Sequence, residues 1–297
     1  MSLRRIWQAG LFELFGAVRS RRAIVVMVLY LAASLLGMSG TISALGRMET
    51  EISSALKLDT AENARSGVVS RTLWQSQSFQ CIARNIVGDS PVYDDICGRH
   101  PAELIYAWLT FLAVPMLTIL MAANRIADDV RSGAVRYMIT RVSRLEWALG
   151  KYVGNALLMA AGLAVGAFAA WCVAAFRLSG ADIAALLPSM LGWAAKAWAL
   201  SLAWLGLALG ISLMVHTGAK ATSLGMSALV VFSAASASLE RFGSRVLALG
   251  RLFPSSVEGS LWRTSFAPVA SASAWLVILG LLYLTAGYAF FARRDAR

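Results

Sequence analysis

The chain has 297 residues, 58% of them apolar and only 14% charged, with a mean hydropathy of +0.65 and a net charge of +11. Soluble domains carry roughly 25% charged and about 45–50% apolar residues, so this balance excludes an ordinary soluble enzyme and a disordered or fibrous chain. A positive excess of this size suits nucleic acid or an anionic membrane surface, and the placement of the charges decides between them.

Residues 3–18 place Leu3, Ile6, Trp7, Leu11, Leu14, Phe15 and Val18 at helical spacing, with Arg4, Arg5, Gln8 and Glu13 off that stripe. The pattern predicts an amphipathic helix lying in the membrane interface. A soluble helix packed on another subunit is the alternative. The apolar run that follows is too long for a signal-peptide core of about 7–15 residues.

Six stretches are long and apolar enough to cross a bilayer, which takes roughly 20 residues. They are 23–42, 104–124, 152–176, 189–215, 221–238 and 272–292. Lipid forbids unpaired backbone groups, so these spans must be helices. Pro115 sits within the second span; the other prolines fall outside the spans or at their edges. Gly162 and Gly166, and again Gly206 and Gly210, form G-x-x-x-G pairs that permit close helix packing.

Loop 43–103 is expected to begin as a helical extension of the first span. It carries Cys81 and Cys97, which an oxidising compartment would let pair; two free thiols sharing a loop is the alternative. Segment 125–151 is the most informative. A short charged helix with Asp128, Asp129 and Arg131 breaks at Gly133, and a second helical piece follows at 135–139. Ser143 with Glu146 then forms the S-x-x-E pattern of a capping box. The segment reads as a compact helix–turn–helix able to transmit force, or else as a positive solvated loop. In segment 239–271, Leu239, Phe242, Val246, Leu249 and Phe253 recur at helical spacing up to Pro254, which predicts a helix at the outer surface or dipping into it.

With the N-terminus placed inside, segments 1–22, 125–151, 216–220 and 293–297 together carry +10, while the outer segments cancel. The positive-inside rule therefore puts both termini in the cytoplasm. Lys196, flanked by Trp193 and Trp198, supplies the last charge about 12 Å below the outer end of its span. It either snorkels outward or lines a translocation path.

No phosphate-binding loop of the G-x-x-x-x-G-K-[ST] type is present, because Gly150-Lys151 is followed by Tyr152. His100 and His216 lie far apart, and no acid falls within a span. Proton relays, intramembrane proteolysis and metal sites are therefore disfavoured. The basic residues form no aromatic-interleaved soluble patch, which disfavours nucleic acid.

These residues resemble the permease subunits of ABC-2-type transporters. In that family an acid precedes a Gly-led stretch, then a Ser-Arg pair, then Gly-Lys at the third span. Here Asp128 or Asp129, Gly133, Ser143-Arg144 and Gly150-Lys151 match, and the ending Phe291-Ala292-Arg293-Arg294-Asp295 is similar to the family's basic-aspartate tail. Ala134 stands where Thr is common, and Arg141-Val142 where a Pro usually precedes the Ser-Arg pair.

The resemblance implies an all-α integral membrane protein with six transmembrane helices and an N-terminal interfacial helix, a transmembrane domain of the type V exporter kind. It implies a chain in the bacterial inner membrane with no cofactor of its own. It implies two cytoplasmic P-loop ATPase subunits that bind ATP and Mg, and a second permease copy, identical or paralogous. Asp128, Asp129, Arg131, Gly133, Arg136, Tyr137 and Arg144 would form the coupling element seated in the ATPase, and transport would be export. The alternative is a non-transporting subunit that passes force to an extracytoplasmic partner through 43–103. A lipid-modifying enzyme lacks a catalytic set.

Overall fold

The structure is a computed structural model that describes residues 3–55, 95, 99–135, 142–178, 183–239 and 250–295. Regular structure among the described residues is entirely helical. In chain order the helices are α1 (Leu3–Arg19), α2 (Arg21–Ala55), α3 (Pro101–Ala122), α4 (Arg125–Ser132), α5 (Arg144–Arg177), α6 (Ile183–Met214) and α7 (Gly218–Leu239). A 3-10 turn (Pro254–Val257), α8 (Glu258–Leu261) and α9 (Phe266–Asp295) complete the set.

Six helices are long and apolar enough to cross a membrane: α2, α3 (continuing through α4), α5, α6, α7 and α9. Their even number brings α1 and the end of α9 to the same face of the bundle, here called the terminal face.

Several helices begin before their apolar runs do. α5 starts at Arg144 because a capping box sets its first turn: Ser143 Oγ accepts from Glu146 N (3.3 Å), and Glu146 Oε2 accepts from Ser143 N (3.2 Å). Two backbone donors are thereby satisfied, whatever the hydropathy of the residues that follow. α6 starts at Ile183, so Pro188 lies inside the helix rather than at its edge. α9 starts at Phe266, six residues before its span was expected to begin.

α6 is the central post. Of its most apolar window, 83% is buried, against 17% for that of α7. Its most extensive contact is with α9, and α5 and α3 pack on its other sides. Glycine explains the α6–α9 approach. A Cβ at Gly206 would collide with the Gly280 backbone, and one at Gly210 with the Tyr283 carbonyl. Close backbone approach maximises van der Waals contact, a main driving force for helix association in lipid. The second G-x-x-x-G pair works against side chains: Gly162 faces Met27 of α2 and Gly166 faces Tyr30.

Several polar groups inside the bundle tie helices together. Tyr152 OH donates to Leu202 O (3.1 Å) and Trp198 Nε1 to Ala156 O (2.8 Å), tying α5 to α6. The Tyr30 hydroxyl meets those of Tyr106 and Thr110, each at 3.3 Å, between α2 and α3.

α1 seats on α5 by a face of small residues. Gly10 is buried, and Ala9, Gly10 and Glu13 lie against Gly150, Val153 and Gly154. Leu3, Trp7, Phe12 and Phe15 stay exposed. Close packing on α5 is decided by the small side chains, which allow the helices to approach, and the bulky apolar residues face outward, where an interfacial helix meets lipid.

At the opposite face, residues 250–264 fold back onto the spans. Trp275 Nε1 donates to Arg251 O (2.8 Å), the Tyr283 hydroxyl donates to Leu252 O, and Ser255 Oγ meets Ser236 Oγ (2.9 Å). Pro254 opens the 3-10 turn, consistent with its fixed φ and missing N–H. Phe242, Val246 and Leu249 of the expected outer helix lie outside the described residues, as do Cys81 and Cys97.

Adding one methyl at Gly206 is expected to lower unfolding stability by about 1–3 kcal/mol, the usual cost of overpacking. Gly192→Ala, where the new Cβ meets nothing within 4 Å, should leave stability unchanged or slightly raised. Thermal unfolding of the two variants in detergent checks the contrast.

Candidate functional site

The second span ends at Ala122, and the chain turns through Ala123 and Asn124 into α4. Only eight residues long, α4 could not persist alone in water. It is held by contacts from each side. Ala127 N donates to Ser212 Oγ of α6 (2.9 Å), and Arg125 Nη2 donates to Ser20 Oγ at the α1–α2 junction (3.1 Å). Ile126 and Ala127 are fully buried. Asp128 lies against Gly218, where a Cβ would come within 2.6 Å of its carboxylate oxygen. That places a negative charge beside the N-terminus of α7, the favourable end of its dipole.

The strongest tie is ionic. Lys151 of α5 is only 4% exposed, and its Nζ lies 2.7 Å from Asp129 Oδ2 of α4 and 2.9 Å from Glu13 Oε2 of α1. Glu13 is 13% exposed and Asp129 33%. One buried ammonium thus joins three helices. The Trp147 ring lies 5.6 Å from the same nitrogen. A lysine buried without partners would lose several kcal/mol of hydration; two carboxylates from separate helices supply the compensation. The cluster has a chemical consequence only through mechanics: α4 cannot move without moving Lys151 or breaking a buried ion pair.

The remaining expected coupling residues distribute as follows. Arg131 is exposed at the end of α4. Gly133 ends the helix in the left-handed region (φ 74°), with its N–H on Val130 O. Glycine takes this conformation without steric cost. Arg144 begins α5, close behind the capping box. Arg136 and Tyr137 lie outside the described residues. Asp128 and Asp129, either of which could be the expected acid, point to different neighbours.

Glu13 and Lys151 were not singled out from sequence as partners. In the sequence Lys151 is half of a Gly-Lys dipeptide, and Glu13 lies off the apolar stripe. The usable signal was electrostatic: a lysine opening a long apolar helix demands a carboxylate, and Glu13 is the sole acid of α1.

Lys196 belongs to the opposite face. Its Nζ donates to Arg263 O (2.9 Å) and stands 4.0 Å over the Trp193 ring. Trp193, Trp262 and Phe111 stack below it with centroids 5.2 to 6.3 Å apart. Asp95 accepts from Thr264 N (3.2 Å) and from the Thr264 hydroxyl. That hydroxyl contact, against a smaller effect of burial, holds the Asp95 carboxyl below its usual range.

The ABC-2 family transporter protein model matches residues 12–242, which include Glu13, Asp129, Lys151 and Lys196. No curated protein matches the chain.

Lys151→Ala leaves two partly buried carboxylates facing one another and is expected to cost roughly 3 kcal/mol of stability, the low end for breaking a buried pair because water reaches Asp129. The neutral triple variant Glu13→Gln, Asp129→Asn and Lys151→Met removes every charge together and should recover most of that loss. Unfolding in detergent, followed by intrinsic tryptophan fluorescence, distinguishes the two.

Proposed function

This chain belongs to the ABC-2 family of transporter membrane proteins, and from that premise we propose that it is the permease subunit of an ATP-driven exporter whose ATPase docks on α4 and the turn at Gly133. Membrane subunits of this family carry no ATPase site of their own. ATP and Mg are bound by two separate P-loop subunits beneath the permease, and a second permease copy completes the path. The charge distribution supports a cytoplasmic terminal face, with both termini inside.

The observation that carries the reading is the Asp129–Lys151–Glu13 bridge. Arg131 and Ser132 are exposed on the same short helix whose other side is bolted to α5, α6 and the α1–α2 junction. A push on the exposed end is therefore delivered to the bases of several spans at once. Asp128, Asp129, Arg131, Gly133 and Arg144 act in this coupling element, together with Arg136 and Tyr137. Asp129 is the pivot, because it alone among the acids of α4 pairs with Lys151. The central α6, fixed to α9 by glycine packing, carries the displacement across the membrane.

The test is capture of the ATPase encoded beside this chain. Co-expressed and solubilised, it should co-purify with the wild-type permease. Arg131→Glu reverses an exposed charge at the dock and should weaken capture at least about tenfold, while unfolding temperature stays within a degree or two. Absence of any ATPase with the wild-type chain contradicts the proposal.

A further inference from the structure

A second region of the molecule combines features that transmission of force does not use. Between α3, α6, α7 and the 254–258 segment lies a cleft of about 240 Å3. Its walls include the aromatic rings of Trp108, Phe111 and Trp204 and the side chain of Leu229. Its polar groups are Ser233, Ser255 and the carboxylate of Glu258. Trp108 is more than half exposed, as is Leu112 beside it, so the cleft opens sideways where lipid would stand. Along α3 the lining runs from Trp108 to Pro115, about 10 Å of depth at 1.5 Å per residue.

Glu258 is the unusual member. None of the six apolar stretches read from the sequence contains an acid, yet the fold-back of residues 254–261 brings one to a wall shared with three spans. Burial lifts the Glu258 carboxyl above the usual carboxylate range, and a hydrogen bond from Trp262 pulls it part of the way back. On the same face, Lys196 Nζ is bonded to the Arg263 carbonyl and stands over the Trp193 ring. Ser255 is occupied by Ser236. Trp204 Nε1, at the buried end of the cleft, meets no acceptor among the described residues.

We infer that this cleft binds a hydrophobic organic cation, with Glu258 as its counter-charge and Trp108, Phe111 and Trp204 as its aromatic walls. Three physical facts converge on that ligand class. A carboxylate at an apolar wall is stabilised by an opposite charge brought to it. Aromatic faces attract a desolvated cation as well as its apolar body. A lateral opening admits a molecule already partitioned into lipid, where hydrophobic cations concentrate. A neutral lipid tail would gain the apolar contacts but leave the carboxylate uncompensated, and an anion would be repelled. This assignment rests on the permease reading only in making the ligand a transport substrate; the binding itself needs no ATPase.

The experiment uses the full chain in nanodiscs of zwitterionic lipid, with radiolabelled tetraphenylphosphonium as the probe. Saturable binding is expected. Glu258→Gln should weaken it at least about tenfold, and Glu258→Asp should retain part of it. Leu229→Trp, which fills the cleft and keeps the carboxylate, should remove it as well. Tetraphenylborate, of the same shape and opposite charge, should not displace the probe. Each variant is checked for an unchanged elution volume and unfolding temperature. Equal binding by wild type and Glu258→Gln overturns the cation assignment, as does displacement by tetraphenylborate; no saturable binding to the wild type overturns the site. Because no ATPase is present, either failure leaves ATPase capture by α4 untouched, and loss of capture leaves this binding untouched.

Discussion

A single ammonium group, that of Lys151, sets the arrangement of the terminal face. It is buried at the start of a long apolar helix, where hydration cannot reach it, so the fold must bring carboxylates to it. Glu13 and Asp129 come from helices that precede α5 by very different distances in sequence, yet both end within 3 Å of the same nitrogen. Satisfying that charge fixes where α1 lies across α5 and where α4 lies beneath the bundle. The small residues of the α1–α5 contact follow from the same requirement. Gly10, Gly150 and Gly154 let the backbones approach closely enough for Glu13 to reach Lys151.

Much of the architecture could be read directly from the chain. Spans of more than 18 apolar residues permit few structures other than helices, and the six stretches of the sequence reappear as six long helices. Gly133 as the stop of α4 and Ser143–Glu146 as the start of α5 were legible because caps are local devices with local signatures. What was not legible depends on distant partners. Helix starts at Arg144, Ile183 and Phe266 precede the spans expected at 152, 189 and 272; at Arg144 the capping box, not hydropathy, sets the start. The amphipathic stripe of α1 was legible, and Leu3, Trp7 and Phe15 stay exposed where an interfacial helix meets lipid, but the small-residue contact of Ala9 and Gly10 with α5 leaves no periodic signature. Asp129 was recognised as an acid of the motif, but its partner lies 22 residues on and its second neighbour near the N-terminus. Periodicity carries no trace of such a triad.

The two ends of the bundle use charge differently. At the terminal face, opposite charges from three helices meet directly. At the other face, the Lys196 ammonium is satisfied by a backbone carbonyl and an aromatic ring, which hold residues 262–264 against α6. Glu258 lines an apolar cleft. Glycine-mediated packing of α6 on α9 connects the two ends through a rigid contact, since neither backbone can yield without opening the other. In the proposed mechanism, this is the element through which movement of α4 reaches the opposite face.

The direct test of that mechanism separates holding from transmitting. The neutral triple variant Glu13→Gln, Asp129→Asn and Lys151→Met keeps the exposed Arg131 surface but removes the ionic pivot. In the reconstituted complex with its ATPase, a cysteine placed at the exposed Phe266 position, with the native cysteines replaced by serine, is labelled by a membrane-impermeant maleimide with and without ATP. The account predicts an ATP-dependent change in labelling rate for the parent complex, and a change reduced at least about threefold in the triple variant while ATPase capture persists. An ATP-dependent change of full size in the triple variant would contradict it.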